Sequence, residues 1–213
     1  ELAGEGLCGF IFKAKSPSSG MERVKVHTPD GGTAGYSAGL FAGAFQKRFP
    51  LLPAEDEGRL HDPGLRENFI ERLFALHRYR TALAGRRAAG TLVDFQARHK
   101  LLFMAHSPAL ARRLGQIVAG ARARPLGAVT AEYEQLLLRA LALPATPPRH
   151  VNVLQHMMGY FKKVISPEEK KELLGIIGDF GRELVPLIVP VTLLAHYARK
   201  YKVEYLEIQC YLN

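Results

Sequence analysis

Hydrophobic and polar positions change period along this chain. Gly9-Phe10-Ile11-Phe12 and Arg23-Val24-Lys25-Val26 are short runs of strand type and predict strands over Leu7–Lys13 and Glu22–His27. Pro29-Asp30-Gly31-Gly32 is a turn. Leu40, Phe41, Ala44 and Phe45 share one face of a helix over Ala38–Arg48, and a loop follows from Pro50 to Leu60. Asp62-Pro63 then opens a helix that runs to Leu83. The Asp62 carboxylate can accept orphan N–H groups, and Pro63 lacks the N–H that the first helical position leaves unused. Phe69, Ile70, Leu73, Phe74 and Leu76 supply its apolar stripe.

Beyond Gly85-Arg86-Arg87-Ala88-Ala89-Gly90, read as a hinge or linker, the helical period takes over. Thr91–Met104 carries Leu92, Phe95, His99, Leu102 and Phe103 near one face. Ser107-Pro108 starts a helix to Gly120. Thr130–Leu141 turns Tyr133, Leu136, Leu137 and Ala140 inward, and Val151–Val164 follows a loop from Pro144 to Pro148. Ser166-Pro167-Glu168-Glu169 has the form of a capping box, with proline at the first helical position and Glu at the third. That helix ends near Gly178 or Gly181, a last one spans Val189–Lys200, and Tyr205–Leu212 extends beyond it. The expected organisation is a partial α/β domain over residues 1–88 and an all-α helical domain over 89–213, with no internal repeat.

A hydrophobic share of 47% over 213 residues is enough for one large core or two modest ones, and 23% charged residues mark a globular chain rather than a disordered one. No apolar run approaches the roughly 20 residues that span a bilayer, which excludes a helical membrane span. The chain starts Glu1-Leu2-Ala3-Gly4, without Met, and stops soon after an apolar segment. Both ends, the C-terminal end of the helical domain included, read as cuts through a longer protein. Cys8 and Cys210 are too isolated for a disulfide framework or a metal knuckle; with no secretion signal they fit a reducing cytoplasm.

Net charge is +9, unevenly spread: 13 basic against 10 acidic residues over 1–88, and 16 against 10 over 89–213. Such a surplus favours polyanionic partners. Its clusters are Arg112-Arg113, Arg122 with Arg124, Arg149-His150, Lys162-Lys163 and Arg199-Lys200. Arg112, Arg113, Lys162 and Lys163 are the candidate RNA contacts, and Tyr160-Phe161 beside the last pair suits unstacked bases. A solvated helix face with core aromatics would show the same pattern. His99, His106, His150, His156 and His196 lack the i, i+3 or i, i+4 spacing of a helical zinc site and read as structural or RNA-contacting.

Between the first two strands lies Lys13-Ala14-Lys15-Ser16-Pro17-Ser18-Ser19-Gly20. A loop of this kind at a strand's end can offer backbone N–H groups and hydroxyls to a ligand, or it can be an ordinary turn. The run from Gly9 to Gly20, with Arg23-Val24-Lys25-Val26 and Asp62-Pro63-Gly64-Leu65-Arg66-Glu67-Asn68-Phe69, resembles the 2-thiouracil desulfidase family. His150 to Lys163, Pro186 to Leu194 and Tyr205-Leu206 with Gln209 resemble the YbgA-like helical domain fused to it in two-domain members.

That resemblance implies an enzyme that removes sulfur from 4-thiouridine in tRNA, with the helical domain binding the RNA. It also implies a 4Fe-4S cluster on three cysteines, one iron being free to take the sulfur. Lys13, Ser16 and Ser18 would then be the catalytic loop residues. The family's third cluster cysteine falls at Ser19, a poor substitute for a thiolate, and the other two lie in a segment before this chain begins. No cluster and no metal are therefore expected in the chain itself. The alternative is a non-catalytic tRNA- or RNA-binding protein or fragment whose cluster site is lost.

Overall fold

Strand β1 (Phe10–Phe12) is the spine of the first part of the chain. The structure, a computed structural model, describes residues 2–85 and 88–213; Arg86 and Arg87 of the expected linker lie outside the described residues. It divides into two units, Glu1–Thr81 and Ala82–Asn213, so the division falls near the end of a long helix, before the expected linker.

In the first unit β1 pairs in parallel with β4 (Ala54–Asp56), Phe10 opposite Ala54 and Phe12 opposite Asp56. Strands β2 (Val24–His27) and β3 (Thr33–Ser37) make a separate antiparallel hairpin. Helix α1 (Leu40–Arg48) packs on β1 through a ring cluster. Phe10 and Phe45 lie 4.6 Å apart between centroids, and Phe12 meets Phe45 edge-on at 5.4 Å. Helix α2 (Pro63–Gly85) buries Phe69, Ala75, Leu76 and Tyr79, and the Asp62 carboxylate accepts the Leu65 N–H at 2.9 Å, as its capping position requires.

Sequence and structure part company over several details here. The strand part of the α/β expectation is minor: among the described residues, four strands of three to five residues, the other regular elements being helices. Strand β4 lies within the expected loop because Ala54-Glu55-Asp56 has no apolar alternation; it pairs along the edge that β1 offers. Strand β3, Thr-Ala-Gly-Tyr-Ser, is exposed and equally silent. The apolar face of α1 is not the expected one. Ala42 and Phe45 are buried, while Leu40 is 88% exposed. Likewise Ile70 and Phe74 of α2 face solvent, the buried stripe running through Phe69, Leu76 and Tyr79. Both segments hold more apolar residues than one face can bury, and tertiary packing selects among them.

The second unit is helical: α3 (Ala89–His106), α4 (Pro108–Ala119), α5 (Leu126–Ala142), α6 (Pro147–Met158), α7 (Pro167–Gly181), α8 (Ile188–Lys200) and the short α9 (Glu204–Glu207). Helix α3 packs on α4, α5 and α6, and α7 packs on α6 and α8. Leu101, Val153, Leu154, Met157, Phe161, Leu173 and Leu194 are fully buried in one cluster. Each such side chain contributes about 1.5–3 kcal/mol by leaving water. Ser107 and Ser166 cap α4 and α7 as their sequence contexts predict. At Ser166 the capping box is complete, its hydroxyl accepting Glu169 N–H at 3.2 Å and its N–H donating to Glu169 Oε2 at 2.9 Å. The expected helix to Val164 instead ends at Met158 and passes through a 3-10 turn, Gly159–Phe161. Among the described residues no helix is long and apolar enough to cross a membrane.

Candidate functional site

The loop after β1 closes on itself and on α1. Gly20 N–H donates to Ser16 O at 2.8 Å, and Ser19 N–H donates to Ser16 Oγ at 3.1 Å. The Ser18 carbonyl accepts the Phe41 N–H at 2.9 Å and the Ala42 N–H at 3.2 Å; Pro17 O accepts Leu40 N–H at 3.3 Å. These are the orphan donors of α1, whose N-cap, Gly39, has no side chain to satisfy them. The loop is thus the cap of α1. Ser16 is half-buried and braces the turn, Ser18 is exposed, and Ser19 is half-buried beside them. Lys15 holds a left-handed backbone (φ 56°) at the loop's entry.

Because β1 and β4 run in parallel, their carboxyl ends meet at this loop, the edge where open α/β sheets place ligands. Lys13 leaves β1 there and Glu57 leaves β4. Lys13 Nζ lies 2.8 Å from Glu57 Oε1, which also accepts the Ala14 N–H at 3.2 Å. The shared hydrogen bond raises the Lys13 ammonium and lowers the Glu57 carboxyl from their ordinary values. Lys13 therefore stays a cation at neutral pH, suited to holding an anion rather than to acting as a base. Next to it Arg59 Nε reaches the buried Glu55 carboxylate at 2.7 Å, with Glu22 at 3.5 Å from the same guanidinium. Glu55, Glu57 and Arg59 fall within the expected loop from Pro50 to Leu60. The acidic run Glu55-Asp56-Glu57 followed by Arg59 was the signal available.

These residues do not fit an iron–sulfur cluster. Ser19 offers a hydroxyl where a thiolate is needed, and Cys8 stands before β1 while Ser19 stands after it, toward the opposite end of the strand. Cys210 belongs to the second unit. Among the described residues no group of three or more His, Cys, Asp or Glu could hold a metal ion.

In the second unit the structure sorts the basic clusters by what they touch. Arg124 is tied to Glu132 at 2.6 Å, Lys200 to Glu169 at 2.5 Å, and Arg149 donates to the His106 and Pro144 carbonyls at 2.8 and 3.1 Å. These are structural. Arg112, Arg113, Lys162 and Lys163 are exposed and, among the described residues, meet no carboxylate. Arg112 and Arg113 lie on α4, which packs on α3 and α5, whereas Lys162 and Lys163 follow α6. Phe161 is fully buried and cannot meet a base. Tyr160 is 38% exposed, stacked on Tyr205 at 4.8 Å with its edge toward His156. His99 is a core residue, its Nδ1 2.9 Å from Phe95 O and its ring stacked on Phe95 at 3.9 Å; His150 shares a 2.6 Å hydrogen bond with Tyr211 Oη.

Sequence gave no hint of a groove between the end of α6 and the start of α7. It has a volume of about 510 Å³ and is lined by Gln155, His156, Lys162 and Lys170 over a floor that includes Met158 and Leu174. No carboxylate lines it.

A family model described as "Protein of unknown function (DUF1722)" matches residues 100–213. The chain is also similar to the "Uncharacterized protein YbgA" of Escherichia coli (strain K12), with 35% identity over 148 residues that cover 69% of this chain and 88% of that protein. No solved structure matches it. These findings support the YbgA-like part of the resemblance; the desulfidase assignment is not carried by them.

Proposed function

The chain belongs to the DUF1722 family, and from that premise we propose that it binds RNA, with tRNA as the class its resemblance to thiouridine desulfidases implies. The observation that carries this reading is the surplus of exposed cations in the helical unit that meet no carboxylate among the described residues, Arg112, Arg113, Lys162 and Lys163 among them. Arg124 and Lys200, by contrast, have carboxylate partners. Unpaired clusters on a chain of net charge +9 release counterions when they meet phosphates, which favours binding at low salt. The test is a titration of the full chain with fluorescent tRNA over a salt series. Binding that weakens steeply with salt, and weakens further in Lys162→Gln/Lys163→Gln, is the expected result. No binding at 50 mM salt would refute the proposal.

A second reading, desulfidation of 4-thiouridine in tRNA, is favoured by one placement. Lys13, Ser16 and Ser18 stand on the loop at the carboxyl ends of the parallel pair β1 and β4. In it the Lys13 cation would hold an anionic group of the substrate and the serines would orient it. Removing the sulfur needs a sulfur acceptor, and the described residues hold no ligand set for one. Anaerobically purified protein that is colourless, free of iron and inert toward 4-thiouridine-containing tRNA would exclude this reading while leaving RNA binding standing.

A further inference from the structure

The groove between α6 and α7 joins three features. It is large enough for a small ligand, since such sites begin at about 300 Å³ and this one reaches about 510 Å³. Its charged lining is of one sign: Lys162 and Lys170 are exposed and, among the described residues, unpaired, and no acid lines the groove. Glu169, next to Lys170 in the chain, is already committed. Its carboxylate accepts from Lys200 Nζ, Tyr201 Oη and Ser166 N–H. The third feature is apolar. Leu174 keeps 44% of its surface in solvent, beside the sulfur-bearing Met158.

We infer that this groove takes one unstacked nucleotide of an RNA chain, a deepening that rests on the RNA-binding reading above. Its 5′-phosphate sits between Lys162 and Lys170, which gives the groove its anion preference. The base lies over Met158 and Leu174, where its faces leave water. Gln155 and His156 also line the groove; an amide and an imidazole each offer a donor and an acceptor to a base edge. His156 is kept in place by Tyr160, whose ring meets it edge-on at 5.7 Å and is itself backed by Tyr205 at 4.8 Å. A bare phosphate would use the lysines and leave the apolar floor wet, so the nucleotide is the better match to the whole lining.

The experiment titrates the full chain with uridine 5′-monophosphate by calorimetry, with inorganic phosphate and fluorescent tRNA as parallel titrants. Lys162→Gln/Lys170→Gln and Arg112→Gln/Arg113→Gln are compared, each checked for an unchanged circular dichroism spectrum. The expected result is that the nucleotide binds at least tenfold tighter than phosphate, that the lysine variant loses at least tenfold, and that the arginine variant keeps nucleotide affinity. Nucleotide affinity untouched in the lysine variant, or equal to that for phosphate, overturns the inference. Binding of tRNA by a chain that takes no nucleotide overturns the inference alone. Nucleotide bound in the groove by a chain that ignores tRNA overturns the RNA reading and, with it, the inference that the nucleotide belongs to an RNA chain.

Discussion

A methyl group placed on Gly39 would stand 2.4 Å from the carbonyl oxygen of Ser18. That oxygen is the acceptor for the Phe41 and Ala42 N–H groups of α1, so the close approach of Gly39 and Ser18 is what lets the loop cap the helix. Gly39→Ala must push the loop away from α1 and is expected to cost about 1–3 kcal/mol, the usual penalty for overpacking a fixed backbone. Gly43→Ala, four residues on within the helix, meets only Ala38 Cβ at 3.7 Å and is expected to gain about 0.5–1 kcal/mol from helix propensity. Urea denaturation of the two variants checks both signs, and equal effects would refute the capping account.

The Glu169 carboxylate gathers Lys200, Tyr201 and the Ser166 N–H, and these hold its pKa at about 2, below the ordinary 4.5. A pKa lowered by folding means that the unfolded chain takes up the proton first. The stabilising contribution is complete above pH 4.5, fades as the pH falls, and is gone below about 2. Glu169→Gln is expected to flatten the stability profile between those two values, measured by thermal unfolding from pH 2 to 7. The Lys200 ammonium, raised first by its bond to Glu169, adds a second limb of opposite sense, present below its unfolded value and lost as the pH rises through the folded one.

Tyr133 is fully buried and donates its hydroxyl to Gln96 Oε1 at 2.6 Å, tying α5 to α3. Tyr133→Phe leaves the buried Gln96 oxygen without this donor and is expected to cost about 1–3 kcal/mol. Adding Gln96→Leu, which removes the stranded acceptor, is expected to recover part of that loss. A double variant less stable than the sum of the singles would show that the pair is not coupled in this way.

If Arg112 and Arg113 each neutralise one phosphate, Arg112→Gln/Arg113→Gln is expected to reduce the slope of log K against log salt by about 1–2 in a tRNA titration. Arg124→Gln, whose native partner is Glu132, is expected to leave that slope unchanged.

Local chemistry made several features legible in advance. The caps at Asp62, Ser107 and Ser166 are short-range hydrogen-bond patterns written within four residues, and each is present. The helical character of the second unit follows from apolar spacing repeated over many turns. Pairing choices were not legible in the same way. β4 is three residues, two of them acidic, and no local pattern marks it as the parallel neighbour of β1. Lys13 was singled out on the loop, yet its partner Glu57 was invisible because 44 residues separate them.

The sequence by itself determined the caps at Asp62, Ser107 and Ser166, that the second unit is helical and how much positive charge the chain carries, because periodicity, capping and composition act over a few residues or over none; the starts of α5 and α6, which carry no such cap, lie four residues before the expected ones. Tertiary structure decided which apolar face of α1 and α2 is buried, which arginines and lysines are spent on carboxylates or carbonyls, and that Lys162 and Lys170 share one groove. Those outcomes depend on what packs opposite each side chain, and long-range partners are chosen by the shape of the whole unit rather than by neighbours in the chain.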